Sequence, residues 1–145
     1  NKEFIDEAIR TFGMPMGPIE LADSVGLDVC IHVAKSFGHA VEGTTLERLV
    51  KSGKLGKKTG EGFYKWLDNK AERCEGGHSL QDLTDFGRTL MEPLLTESQK
   101  ALKEHIVENA DLLDAGIIFG TGFAPFRGGP LQYLKHEKPR SGRNI

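Results

Sequence analysis

Several things are scarce in this chain of 145 residues, and each scarcity excludes something. No apolar run approaches the ~20 residues that cross a bilayer, so no transmembrane helix is expected. The opening residues do not read as a leader peptide. The two cysteines, Cys30 and Cys74, lie far apart and neither has a CxxC partner. That argues against zinc or dithiol chemistry and fits a reducing, cytoplasmic setting. The five histidines form no HExxH pair and no Cys/His cluster, so no bound metal is expected. Net charge is −2, which supplies neither a basic field for nucleic acid nor a polybasic membrane anchor. Alternating strand patterns are nearly absent. So are a strand followed by GxGxxG, a nucleophile elbow and a catalytic triad signature. The chain also lacks an initiator methionine; it opens mid-helix at Asn1 and reads as a fragment of a longer polypeptide.

What is present is helical periodicity punctuated by glycine and proline. Phe4, Ile5, Ala8, Ile9 and Phe12 predict one helix ending at Gly13. Pro18 suits the first position of the next, which runs to about Phe37 with Gly26 dividing or bending it. A short helix is predicted from Thr45 to Gly53. Residues 54–66, KLGKKTGEGFYKW, form a glycine-rich loop running into an aromatic extended segment. Residues 68–80 are polar and contain Gly76-Gly77, so a linker is placed there. A helix capped by Asp82 or Thr84 follows, kinked or restarted at Pro93. Another runs from Asp111 to about Phe119, and Pro130 starts the last. The expected organisation is a mostly α fold of two units, residues 1–67 and 81–137, joined by that linker and ending in a polar tail, 138–145.

Two phrases echo one another: FGMPMGPIEL at 12–21 and FGTGFAPFRGGPLQYL at 119–134. They align on their Gly-Pro-Ile/Leu steps, and upstream Ile5-Asp6-Glu7-Ala8-Ile9 loosely matches Leu113-Asp114-Ala115-Gly116-Ile117, the second copy having a longer loop. Each copy reads helix, glycine/proline loop, proline-initiated helix. Chance recurrence of loop punctuation explains the composition; duplication explains the order of elements as well. Two such units can pack about a pseudo-two-fold axis, as two subunits of a dimer would.

Candidate chemistry is sparse. GKLGKKTGEG resembles a phosphate cradle, but a Walker A pattern set on Lys58-Thr59 finds Lys57 where its second glycine belongs. Lys54, Lys57 and Lys58 still make a local positive patch beside glycine-freed amides, open to a phosphorylated or nucleotide ligand or to solvent alone. Met14 and Met16 could pack a helix corner or mould to a flexible acyl chain. Arg127 could bind an anion or cap a carbonyl. Glu20, Asp23 and Asp28 read as helix-dipole complements. From residue chemistry alone, the chain is an α-helical tandem module with no self-contained active site.

FGMPMGPIELADSVGLDV, then KLGKKTGEGFYKW, then DLLDAGIIFGTGFAPFRGGPLQYL, in that order, resemble the C-terminal region of L-3-hydroxyacyl-CoA dehydrogenases, in particular the multifunctional members of fatty-acid β-oxidation. The resemblance spans about residues 1–136. It implies oxidation of a 3-hydroxyacyl-CoA to the 3-ketoacyl-CoA with NAD, and two tandem helical C-terminal units. In the multifunctional members the second unit stands where a dimer partner would. The family's catalytic His and its NAD-binding Rossmann domain match no segment of this chain. No catalytic residue is therefore assigned here, and the isolated chain is expected to be inactive. The resemblance implies Lys58 near NAD. It implies Gly13, Met14, Pro15, Met16, Gly17 and Pro18 at the acyl pocket, with Phe119 where some relatives carry a tyrosine. The expected partners are acyl-CoA in the full-length protein, an upstream NAD-binding domain, the thiolase subunit of the complex, and a further copy as homo-oligomer. The alternative is a non-catalytic helical interaction or dimerisation module.

Overall fold

Helix α1, Lys2–Phe12, shows how the local signals translate into structure. The Asn1 side chain accepts the Glu3 amide at its start, and Gly13 ends it at φ +116°, returning its N–H to Arg10 and Ile9 carbonyls. A computed structural model describes residues 1–74 and 76–137; the expected tail, 138–145, lies outside them. Among the described residues there are seven α-helices. After α1 come α2, Pro18–Val25, and α3, Leu27–Ser36, separated at Gly26 (φ +110°). Then follow α4, Thr45–Lys51, and a 3-10 turn over Lys57–Thr59. Helix α5 runs unbroken from Leu80 to Lys103 through Pro93. The chain continues with α6, Ala110–Thr121, a 3-10 turn over Pro125–Arg127, and α7, Pro130–His136. The mostly helical expectation holds. The helix caps differ from the sequence reading: Ser79 precedes α5 and Asn109, accepting the Leu112 amide, precedes α6.

The Gly-Pro phrase has a specific structural meaning. Proline at the first helical position brings no N–H, and glycine before it brings no capping side chain. The next two amides need a partner from elsewhere. In α2, Asp6 of α1 supplies it: its carboxylate accepts Ile19 N–H at 2.8 Å and Glu20 N–H at 3.0 Å. In α7, Asp114 of α6 does the same for Leu131 at 2.8 Å and Gln132 at 3.0 Å. A Cβ on Gly17 would stand 2.3 Å from the Asp6 side chain, and one on Gly129 would stand 2.3 Å from Asp114. Glycine is there because a carboxylate from the preceding helix occupies the space. The echo is therefore one capping device built twice.

The core is shared rather than divided between the expected units. Ile9 and Phe12 of α1 pack with Met91 and Leu95 of α5, Phe123 and Ala124 of the second loop, and Tyr133 of α7. Phe12 meets Phe123 and Tyr133 edge to face, with centroids 5.7 and 5.2 Å apart. The α1–α5 pairing is the most extensive helix contact. It closes to backbone distance where Gly87 lies, since a Cβ there would sit 2.5 Å from the Ala8 carbonyl oxygen.

The expected linker is pinned. Asp68 and Asn69, both at positive φ, turn a short hairpin in which β1, Trp66–Leu67, pairs with β2, Lys70–Ala71. Further on, Arg73 donates to Glu20 at 2.7 Å. The His78 ring lies 2.9 Å from Glu7 and edge-on to Phe4. Polar composition here reflects anchoring to α1 and α2.

Gly17→Ala and Gly129→Ala should each cost more than about 2 kcal/mol, by steric displacement of a buried capping carboxylate. Gly77→Ala, where an added Cβ meets nothing within 4 Å, should stay within about 0.5 kcal/mol. Urea unfolding of the three variants checks this.

Candidate functional site

The glycine-rich segment is wound around α2, and a second buried carboxylate holds it. Asp23 accepts the Phe63 and Tyr64 amides, each at 2.8 Å, and the Trp66 indole N–H at 3.0 Å. Asp23 is fully buried. An added Cβ would fall 2.2 Å from its carbonyl oxygen at Gly56 and 2.2 Å from its carboxylate at Gly62. These glycines admit the backbone to Asp23, which accounts for them without a phosphate. Tyr64 then donates its hydroxyl to Asp6 at 2.9 Å, tying the aromatic segment to the cap of α2. Burial first, and the hydrogen bond to Asp6 second, push the Tyr64 phenol far above its ordinary range, so it stays a donor. Lys2 donates to the Phe63 carbonyl and lies over the Tyr64 ring. Glu20, also buried, is held by Arg10 at 2.9 Å and Arg73 at 2.7 Å. Sequence reasoning read Glu20 and Asp23 as dipole complements. Asp23 instead stands near the C-terminus of α2 and faces the 63–66 backbone. The signal that could have exposed it was the glycine pair Gly56 and Gly62 ahead of Phe63-Tyr64.

The two Gly/Pro loops are pressed together. A Cβ on Gly13 would lie 2.6 Å from the Phe126 ring and 2.8 Å from Ala124; one on Gly122 would lie 3.0 Å from Pro15. Met14 packs against the shared core, and Met16 takes a weak hydrogen bond from Ser24. Gly17 is buried and Pro18 exposed. Arg127 caps a carbonyl: its Nε donates to Phe12 oxygen at 2.6 Å, and its guanidinium stacks over the Phe12 ring at 4.3 Å and the Tyr133 ring at 5.0 Å. Beside it opens a cavity of about 540 Å³ lined in part by Thr84, Arg88, Arg127 and Tyr133. Burial, then the hydrogen bond to Glu137, pushes the Tyr133 phenol up to about 12.

The lysine patch is matched by neighbours. Lys54 pairs with Glu61 at 2.7 Å, and Lys57 lies over the Trp66 ring. Lys58 reaches both carboxylate oxygens of Asp28, at 2.6 and 2.8 Å. That hydrogen bond holds Asp28 below the usual carboxylate range. Phe119 projects from α6 with 89% of its surface exposed. The structure thus brings loop 13–18 against loop 122–127 and sets Lys58 at the α2–α3 junction beside Gly26. Phe119 stands on an outer face. Among the described residues no three His, Cys, Asp or Glu side chains could hold a metal ion, and no helix is long and apolar enough to cross a membrane.

Residues 1–66 match the family model of the 3-hydroxyacyl-CoA dehydrogenase C-terminal domain. The chain is similar to the fatty acid oxidation complex subunit alpha of Vibrio campbellii, at 34% identity over 91% of the chain and 21% of that relative. It is similar also to the same subunit of Pseudomonas aeruginosa, at 35% identity over 90% of the chain and again 21% of the relative. Among solved structures it resembles the dehydrogenase part of multifunctional enzyme 1 from C. elegans, with a TM-score of 0.60 and 26% identity. That match covers 83% of this chain and 30% of the other. The chain therefore spans about a fifth of the length of the curated relatives it matches.

Removing Lys58 by Lys58→Ala should let Asp28 titrate closer to its ordinary value, read by carboxylate NMR. A lowered folded-state value stabilises above the ordinary carboxylate range and is lost as pH falls through it. The variant should therefore lose that part of the acid dependence of stability and keep the rest. Burial first, then the charge of Asp28, raises the Cys30 thiol, while Cys74 is exposed. A maleimide at neutral pH should label Cys74 first.

Proposed function

We propose that this chain is the C-terminal helical portion of an NAD-dependent 3-hydroxyacyl-CoA dehydrogenase of fatty-acid β-oxidation, within a longer multifunctional, cytoplasmic protein. The observation that carries the reading is the family match over residues 1–66. Those residues contain both the Gly13–Pro18 loop and the segment that Asp23 binds. Units 1–67 and 81–137 are read as tandem copies of one helical module related by a pseudo-two-fold. The repeated caps at Asp6 and Asp114 support this.

In this reading the Gly13–Pro18 loop and Phe119 contribute to the wall of the acyl pocket, and the second unit stands where a dimer partner would. The chemistry NAD supplies, acceptance of hydride from the 3-hydroxyl carbon, belongs to an upstream domain with its own catalytic His. What this chain offers the cofactor is one cation at its edge. Lys58 is half exposed and already shared with Asp28, so a cofactor phosphate would compete with a carboxylate for it. The thiolase subunit of the complex and a second copy are the macromolecular partners proposed.

Purified chain given NAD and a 3-hydroxyacyl-CoA should show no turnover, and addition of the upstream NAD-binding domain should produce it. A folded reconstituted pair without activity would overturn the assignment. In the full-length protein, Lys58→Ala should weaken NAD binding several-fold while the protein stays folded, with only the small loss of stability that a half-exposed ion pair carries. Unchanged NAD affinity in that protein would favour the rival reading, a helical module used for interaction alone.

A further inference from the structure

Arg127 sits where the two loops meet, and its guanidinium is already held in place. Its Nε donates to the Phe12 carbonyl at 2.6 Å, and three rings flank it: Phe12 at 4.3 Å, Tyr133 at 5.0 Å and Phe126 at 5.2 Å. The bond to Phe12 uses one N–H of the fork and leaves both terminal nitrogens with donors to spare. Among the described residues no carboxylate pairs with Arg127. The nearby acid, Glu137, is taken by Arg88 and by the Tyr133 hydroxyl. Among the described residues no buried side-chain nitrogen or oxygen lacks a partner, so those terminal nitrogens reach open space. The space that Arg127 lines is the cavity of about 540 Å³.

That cavity is of ligand size, since small-molecule sites run to roughly 300–1,000 Å³. With His136 neutral, its lining sets two guanidinium groups against one carboxylate, so one positive charge is left over, and it is on Arg127. The remaining wall is largely aromatic: Phe12, Tyr133 and the ring of Phe126, which is 76% exposed. A guanidinium fixed on rings has lost its rotamer freedom before a ligand arrives, and its planar fork matches the two oxygens of a carboxylate. A bare inorganic anion would fill a small part of such a space and leave the rings wet. We propose that this cavity binds an organic monoanion, a single carboxylate on a compact, flat apolar body, with the carboxylate on the terminal nitrogens of Arg127 and the body against Phe126. The occupant would touch α1, α5, the second loop and α7 together, and so stiffen the corner at which they meet. The site shares no lining residue with the Gly13–Pro18 loop, Lys58 or Phe119, so the proposal goes beyond the dehydrogenase reading and does not rest on it.

Benzoate is the probe, with benzamide as its uncharged analogue and inorganic phosphate as a bare anion, each titrated into the isotope-labelled chain and followed by NMR. Benzoate should bind with a dissociation constant of about 1 mM or tighter and move the Arg127 Nε–H signal and the Thr84 and Tyr133 amides. Benzamide and phosphate should each bind about tenfold more weakly or worse. Arg127→Lys keeps the charge without the fork and should weaken benzoate by about tenfold. That change also removes the bond to Phe12, so a second variant leaves the contacts of Arg127 intact. Thr84 is an exposed lining residue whose hydroxyl donates back to the Leu80 carbonyl, and Thr84→Trp should block benzoate while the chain stays folded. Equal binding of benzamide would mean that the charge is not read, and equal binding of phosphate that the apolar body is not. Unchanged benzoate affinity in Thr84→Trp, or in a folded Arg127→Lys, would put the probe elsewhere. Each of these results overturns the proposal, as does an absence of benzoate binding. The readout is ligand binding to the chain by itself, so neither failure nor success here bears on turnover or on NAD affinity.

Discussion

Three buried aspartates hold this fold in register. Asp6 and Asp114 each accept two amides at the start of a helix that follows Gly-Pro, and Asp23 accepts two amides and an indole N–H from the aromatic segment. A carboxylate removed from water is costly unless its lone pairs are filled. Here donors come from segments 13 to 58 residues away in the chain. Hydrogen bonds to a charged acceptor contribute about 1.5–3 kcal/mol apiece. They are also directional, so they fix the angle at which each helix leaves its predecessor.

The odd composition of the loops follows from that constraint. Proline deletes one orphan amide at the helix start, glycine clears space for the carboxylate, and the two remaining donors point at it. The same logic governs Gly56 and Gly62, which let the backbone reach Asp23. Glycine-rich loops beside lysines invite a phosphate-binding interpretation. In this chain Lys54 and Lys58 are paired with carboxylates and Lys57 lies over an indole ring. The glycines serve a packed interior.

The dehydrogenase reading sits comfortably on such a scaffold. A domain that helps close a pocket while leaving chemistry to another domain needs a rigid corner more than it needs reactive groups. Arg127 completes that corner by joining the second loop to the end of α1 through the Phe12 carbonyl and three aromatic rings. Packing of α1 into a core with α5 and α7 makes the halves interdependent, so a change at one loop is felt at the other.

Much of this was legible in the amino-acid order. Apolar spacing located the helices, Gly13 and Pro18 marked a stop and a start, and the echo exposed the recurring element order. The family phrases pointed to the dehydrogenase C-terminal domain that residues 1–66 match. Local rules reach that far because caps, breakers and amphipathic periods are decided within a few residues. They could not show that Asp23 faces Phe63 and Tyr64, that Lys58 is held by Asp28, or that the polar stretch after Trp66 is pinned by Arg73 and His78. Those partners are far apart along the chain, and only the packing of α1 against α2 and α5 brings them within hydrogen-bonding reach. Sequence determined which helices form; tertiary structure decided which carboxylate fills each gap, because a buried carboxylate takes its partners from space and not from sequence.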